Sequence, residues 1–126
     1  MLTQVGPLCR PVISIGMDTP VHDIIKDVSW DKVSSAVVID KDKKVVGIIT
    51  ESDILHIESL GMDIDTLKAS DICSRKIIKI SPEDSIIGAA HLMIDNHVHH
   101  VLIMVGDYVE GIISTLDVLE QLLDKE

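Results

Sequence analysis

Apolar positions along the chain follow two periods, and the order in which the periods appear is written twice. Val12-Ile13-Ser14-Ile15 is a short β-type run, and Val21, Ile24, Ile25 and Val28 then fall at i, i+3, i+4 and i+7, one face of a helix. Val33 to Ile39 and Val45 to Ile49 are rich in β-branched residues and predict two strands, separated by the turn Asp40-Lys41-Asp42-Lys43-Lys44. A polar-faced helix follows from Thr50-Glu51-Ser52-Asp53-Ile54-Leu55. The same order returns 65 positions later: Ile77-Ile78-Lys79-Ile80, then Ile86, Ala89, Ala90 and Met93, then Val98 to Met104. The second turn, around Gly106-Asp107, is one residue shorter, so Val109 to Ile113 and Ser114-Thr115-Leu116-Asp117-Val118-Leu119 match at 64. Hairpin turns tolerate a change of that size.

Each repeat therefore reads strand, helix, strand, strand, helix, an α/β (α+β) unit. Repeat 1 is assigned to residues 7–60, a polar linker to 61–70 and repeat 2 to 71–123. Thr19 with Pro20 at the first helical position is expected to start the first helix, and Asp84 or Ser85 the second. A repeat of about 60 residues holds little core alone. The two are therefore expected to pack together about a pseudo-twofold axis, which would create two related clefts.

Composition narrows the function. The 126 residues carry a formal net charge of −10, which repels phosphate backbones, and no Phe, one Trp and one Tyr leave no platform for stacking bases, so nucleic acid is disfavoured as a partner. No apolar run approaches the roughly 20 residues of a membrane span. Met1 to Arg10 lacks the basic and apolar blocks of a secretory signal. Two cysteines, Cys9 and Cys73, show neither a CxxC spacing nor disulfide-framework density and suit small apolar packing in a reducing compartment. These features together predict a cytoplasmic protein.

The ends of the repeats hold the most specific pattern, Gly47-Ile48-Ile49-Thr50-Glu51-Ser52-Asp53 and Gly111-Ile112-Ile113-Ser114-Thr115-Leu116-Asp117. Two copies of this heptapeptide, 64 residues apart and each preceded by matching elements, resemble the CBS domain family, over about Pro7 to Leu123. The resemblance implies a paired module, also called a Bateman module, that binds AMP, ADP, ATP or S-adenosylmethionine in the cleft between the repeats, with the motif Asp on the ribose. An ionised carboxylate suits that role because its two oxygens can accept from adjacent 2′ and 3′ hydroxyls. Asp53 and Asp117 are the expected ribose ligands, and Thr50 and Ser114 can reach ribose or the first phosphate near the exposed amides of a helix start. Ile48, Ile112, Val12, Ile13, Ile77 and Ile78 are candidates to sandwich adenine. The same quartets also read as helix capping boxes, in which Thr50 with Asp53, or Ser114 with Asp117, satisfy the helix's own amides; Asp is shorter than the Glu or Gln that such boxes prefer.

The chain departs from the family at the strand that commonly supplies an Arg for phosphate. Ser34-Ser35-Ala36-Val37 and His99-His100-Val101-Leu102 occupy it, which makes His99 and His100 the candidates, with Arg10, Arg75 and Lys76 as nearby cations. His91, His97, His99 and His100 invite a metal reading, but no cysteine or carboxylate completes a tetrahedral set at recognisable spacing, and no metal or other cofactor is expected. No nucleophile elbow, phosphate loop or metalloprotease signature accompanies the Ser, His and Asp residues, so no enzyme is expected. The rival function is a docking or dimerisation module for a separate enzyme or transporter, with vestigial clefts. In either case a homodimer built on the helices carrying Val21, Ile24, Ile25, Val28 and Ile86, Ala89, Ala90, Met93 is expected.

Overall fold

The computed structural model describes residues 3–30, 33 and 35–124. They form two compact units: residues 12–76, and residues 77–126 together with the N-terminal arm 1–11.

In the unit of residues 12–76 a three-stranded sheet has the order β1 (Ser14–Gly16), β2 (Ser35–Ile39), β3 (Val45–Thr50). β1 and β2 are parallel, with Ile15 opposite Val38, and β2 and β3 form an antiparallel hairpin, with Val37 opposite Ile48. Helix α1 (Val21–Asp27) connects the parallel pair, α2 (Glu51–Ser59) follows the hairpin, and a single turn, α3 (Ala69–Ile72), precedes Cys73. Ile15, Ile24, Ala36, Val38, Ile49 and Ala69 form the core, with Ile13, Val28, Ile54, Ile72 and Cys73 packed against it.

The other unit repeats the plan with β4 (Lys79–Ile80), α4 (Ile86–Asn96), β5 (His100–Val105), β6 (Tyr108–Ser114) and α5 (Thr115–Leu123). Its sheet order is β4, β5, β6, again one parallel and one antiparallel pair. Ile80, Ala89, Met93, Val101, Ile103 and Ile113 take the places of Ile15, Ile24, Val28, Ala36, Val38 and Ile49 in its core. Both hairpins carry a register shift at the same place, after Val38 and after Ile103. A β-bulge kinks the strand and increases its twist. A bulge kept in both copies is thus part of the repeat's design.

The alternating pattern finds each strand but overestimates the first of each repeat. Val12-Ile13 and Ile77-Ile78 lie before β1 and β4, although the carbonyls of Ile13 and Ile78 already accept from Val37 and Leu102 at 2.8 and 2.9 Å. α1 starts one residue later than expected: Pro20 is the cap residue, and Thr19 gives no side-chain cap. Its backbone is engaged elsewhere, with the Thr19 carbonyl accepting from Ala69 N at 2.8 Å. The first amides of α1 are satisfied by the chain beyond α2, Val21 N to Leu67 O at 2.9 Å and His22 N to Ile64 O at 3.3 Å. The 61–70 stretch therefore packs on α1. In α4 the expectation is met, since Ser85 Oγ accepts from Gly88 N at 3.0 Å.

Each unit also contains a segment that the pattern did not show. Gly6–Leu8 forms one 3-10 turn, and the chain then runs beside β6, where Arg10 and Ile112 exchange both backbone hydrogen bonds at 3.0 Å. In the other unit α3 is followed by Ser74, which exchanges both bonds with Ile48 at 2.9 and 2.8 Å. Val5 and Ala69, both fully buried, open these segments, and Cys9 and Cys73 lie just before the bridges. Val5 to Arg10 and Ala69 to Ser74 thus correspond at 64 residues. The arm covers the free edge of its sheet, a place where unpaired backbone groups otherwise invite association.

The motif glycines make this approach possible. A Cβ on Gly47 would lie 2.6 Å from both Cys73 Sγ and the Ser74 carbonyl, and one on Gly111 would collide with Cys9 Sγ and come within 2.9 Å of the Arg10 carbonyl. Gly47→Ala and Gly111→Ala should each cost about 1–3 kcal/mol, the usual penalty of overpacking. Because the backbone carbonyl blocks the space as well as the thiol, Cys73→Ala should restore only part of the loss in Gly47→Ala. Urea unfolding midpoints of the two single variants and the double variant check this.

Candidate functional site

The two motifs end their strands at the start of a helix, where the first amides have no partner within the helix. Thr50 and Ser114 are the cap residues of α2 and α5, both with extended backbone. Asp53 turns back so that its Oδ2 accepts from Thr50 N at 2.7 Å and Thr50 Oγ1 at 3.2 Å. Asp117 does the same with Ser114 N at 2.8 Å and Ser114 Oγ at 3.0 Å, while Ser114 Oγ also accepts from Asp117 N at 3.3 Å. Asp is thus long enough to close the capping box in both copies, contrary to the expectation from its length. The cap uses one carboxylate oxygen.

The second oxygen distinguishes the copies. Asp53 is half-buried, and its Oδ1 has no hydrogen bond or ion pair among the described residues. Oδ1 of Asp117 lies 2.7 Å from Nε of Arg10, and Nη2 of the same guanidinium lies 3.6 Å from Glu120. The Asp117 side chain is 8% exposed and that of Arg10 56%. The cause is the arm: its backbone bridge to Ile112 sets Arg10 beside α5, whereas the equivalent bridge to Ile48 carries Ser74, which is too short to do the same. The sequence offers Arg10 as a cation that could stand in for the missing phosphate-binding Arg, but does not show its pairing with Asp117. The signal that could have found its role is the 64-residue match of Cys9 to Cys73, which aligns Arg10 with Ser74 and Ile112 with Ile48.

The remaining candidates divide between the units. Val12, Ile13, Ile48, Thr50 and Asp53 belong to one, and Ile77, Ile78, Ile112, Ser114, Asp117, His99 and His100 to the other. Val12, Ile48 and Ile77 are half-buried, and Ile112 is buried. Ile13 and Ile78 are partly committed to the cores. His100 stands directly across from Ser114 in the β5–β6 register, as Ser35 stands across from Thr50, so each pair shares a face of its sheet. His99 is exposed, and its carbonyl accepts from Thr115 N at 3.0 Å. Ser34 lies outside the described residues. Arg75 and Lys76 are exposed.

Among the described residues no three of His, Cys, Asp and Glu gather as a metal site, and no helix is long and apolar enough to cross a membrane. Cys9 and Cys73 are free thiols, half-buried against their cores, and burial is the main reason both titrate above the ordinary thiol range.

This architecture, two copies of a parallel-antiparallel sheet closed by a Gly-apolar-apolar-hydroxyl motif with a capping Asp, defines a tandem-repeat α/β module. The CBS domain family model matches residues 5–59 and 69–124, and the chain belongs to that family. Both matched segments begin at the buried residues Val5 and Ala69 that open the arms. Among curated relatives, an arabinose 5-phosphate isomerase of Yersinia pestis is 24% identical over 84% of this chain and 32% of its own length. A mitochondrial CBS domain-containing protein of Arabidopsis thaliana is 31% identical over 81% of this chain and 52% of its own length. The chain thus spans about a third to a half of these relatives. A solved CBS domain protein of Pyrobaculum aerophilum, complexed with AMP, superposes with a TM-score of 0.83 at 23% identity, covering 97% of this chain and 99% of that one.

His100 titrates below the ordinary imidazole range, first because burial penalises its charged form and then because His99 is close, with Asp117 opposing. The unfolded chain consequently binds the proton first as pH falls, so this residue's contribution to stability is complete above about pH 6.5 and is lost below it. His100→Gln should therefore lose less stability than the unmutated chain between pH 7 and pH 5. Urea midpoints across that range measure the difference.

Proposed function

We propose that this protein is a non-catalytic regulatory module that binds an adenosine-type ligand, AMP, ADP, ATP or S-adenosylmethionine, through its two motif carboxylates. The observation that carries the reading is Asp53: one oxygen is spent on the helix cap, and the other, half-buried, has no partner among the described residues. A ribose diol supplies two donors to such an acceptor. Half-buried Val12 and Ile48 in the same unit suit adenine, and His100, across from Ser114, suits a phosphate in the other. The AMP complex of the Pyrobaculum aerophilum relative supports the choice of ligand class. Free thiols and an acidic surface suit a reducing, cytoplasmic setting.

A thermal-shift panel of AMP, ADP, ATP and S-adenosylmethionine is the first test, since a ligand at 100 times its dissociation constant adds about 2.7 kcal/mol. Losing a charge-assisted bond costs about 1.5–3 kcal/mol, so Asp53→Ala should weaken binding about ten- to a hundredfold. Calorimetry with a variant shown by circular dichroism to stay folded decides it. Unchanged affinity in Asp53→Ala, Asp117→Ala and the double variant would remove the carboxylates from the site.

A second reading, docking and self-association through the helices, rests on a separate observation. Leu116, Leu119, Leu122 and Leu123 of α5 and Ile87 and Ile94 of α4 are all exposed, and an apolar groove of about 120 Å³ runs between the two helices. The faces first assigned to this contact are mostly turned inward instead: Ile24, Ile86, Ala89 and Met93 are core residues, because those stripes pack on the sheets. A homodimer through α4 and α5 predicts a mass of twice 13.8 kDa by light scattering at tens of micromolar. Leu119→Glu should return it to the monomer. A monomeric unmutated chain would dismiss the contact.

A further inference from the structure

We infer that Arg10 makes the second motif selective for phosphorylated ligands, while the first motif, which has no such residue, discriminates little between nucleoside and nucleotide. The inference rests on the adenosine-ligand reading of the two carboxylates. Its basis is the difference between them: Asp117 spends Oδ2 on the cap and Oδ1 on Arg10, whereas Oδ1 of Asp53 has no partner among the described residues.

A ribose that approaches Asp117 must compete with a charge-assisted hydrogen bond of 2.7 Å to a carboxylate that is 8% exposed. A neutral nucleoside offers the displaced guanidinium nothing in return. A nucleotide offers its phosphate, an anion whose oxygens match the guanidinium fork, so one charge-assisted contact is exchanged for another. The geometry permits the exchange. The backbone of Arg10 is pinned by its reciprocal hydrogen bonds to Ile112, but its side chain is 56% exposed and long enough to swing. Glu120, 3.6 Å from Nη2, is itself exposed and places a second carboxylate beside the guanidinium on α5. In the first repeat the bridge position is Ser74, and among the described residues no cation pairs with Asp53.

The experiment isolates each motif in the full chain. Adenosine and AMP are titrated calorimetrically at pH 8, where an ordinary imidazole is neutral, into Asp53→Ala, which leaves the second motif, and Asp117→Ala, which leaves the first. In Asp53→Ala, AMP should bind about tenfold or more tightly than adenosine. Adding Arg10→Ala should raise adenosine affinity and lower AMP affinity, so that the preference collapses by about tenfold or more. In Asp117→Ala the two ligands should differ less, and Arg10→Ala should leave their ratio unchanged. Should either alanine variant lose the fold, Asp53→Asn or Asp117→Asn keeps a carbonyl oxygen for the cap and replaces it. A ratio that Arg10→Ala leaves unaltered in Asp53→Ala, or an adenosine affinity that falls there, overturns the selectivity while the ligand reading stands. Failure of the unmutated chain to bind either compound overturns both.

Discussion

The rest of the structure depends on a close contact in which a stretch of backbone distant in sequence lies against the outer strand of each sheet at a glycine. At Gly47 and Gly111 the absent Cβ leaves room for a cysteine thiol and a backbone carbonyl. Reciprocal hydrogen bonds one residue further on, Ser74 with Ile48 and Arg10 with Ile112, then fasten the arm. The contact closes a sheet edge and buries Ala69 or Val5 in the core beneath. It also fixes which side chain stands beside the motif helix. The glycine at the head of each motif is thus first a packing requirement, and the side chains that follow are placed by it.

The carboxylates show how fold and site can share one side chain. A helix start needs acceptors for its first amides, and Asp53 and Asp117 each supply one oxygen. The other oxygen is free to take a different partner without undoing the helix. In one copy that partner is an arginine on the arm, and in the other the oxygen has none among the described residues. Two motifs with the same Gly, hydroxyl and Asp are consequently different chemical environments. The difference lies outside the motif, on a segment held next to it by tertiary packing.

The acidic balance of the chain, formally −10, bears on the same point. Long-range repulsion works against any anion, so cations held close to a motif change its local field most. The second unit has one such cation in Arg10, and His100 stands across from Ser114. Burial keeps that imidazole uncharged at neutral pH, which leaves the guanidinium as the permanent charge beside Asp117.

Local pattern was enough to reveal the repeat, the order of its elements and the family, because strand and helix periods and the motif at Gly47 and Gly111 are carried by neighbouring residues. The strand positions of the core repeat in the same way, Ile15, Val38 and Ile49 returning as Ile80, Ile103 and Ile113, whereas Ile24 and Ala89, expected on a dimer face, pack inside. What it missed is non-local or too short to have a period. The turns at Gly6–Leu8 and Ala69–Ile72 have no amphipathic stripe to detect, and α1 starts at Val21 rather than Pro20 because amides there are capped by the distant residues Ile64 and Leu67. The sequence by itself determined that there are two motifs, each with a carboxylate three residues after a hydroxyl. Only the tertiary structure decided that they are unequal, since a guanidinium reaches Asp117 from a residue 107 positions away in the chain, and such a contact exists only once the arm is folded against β6.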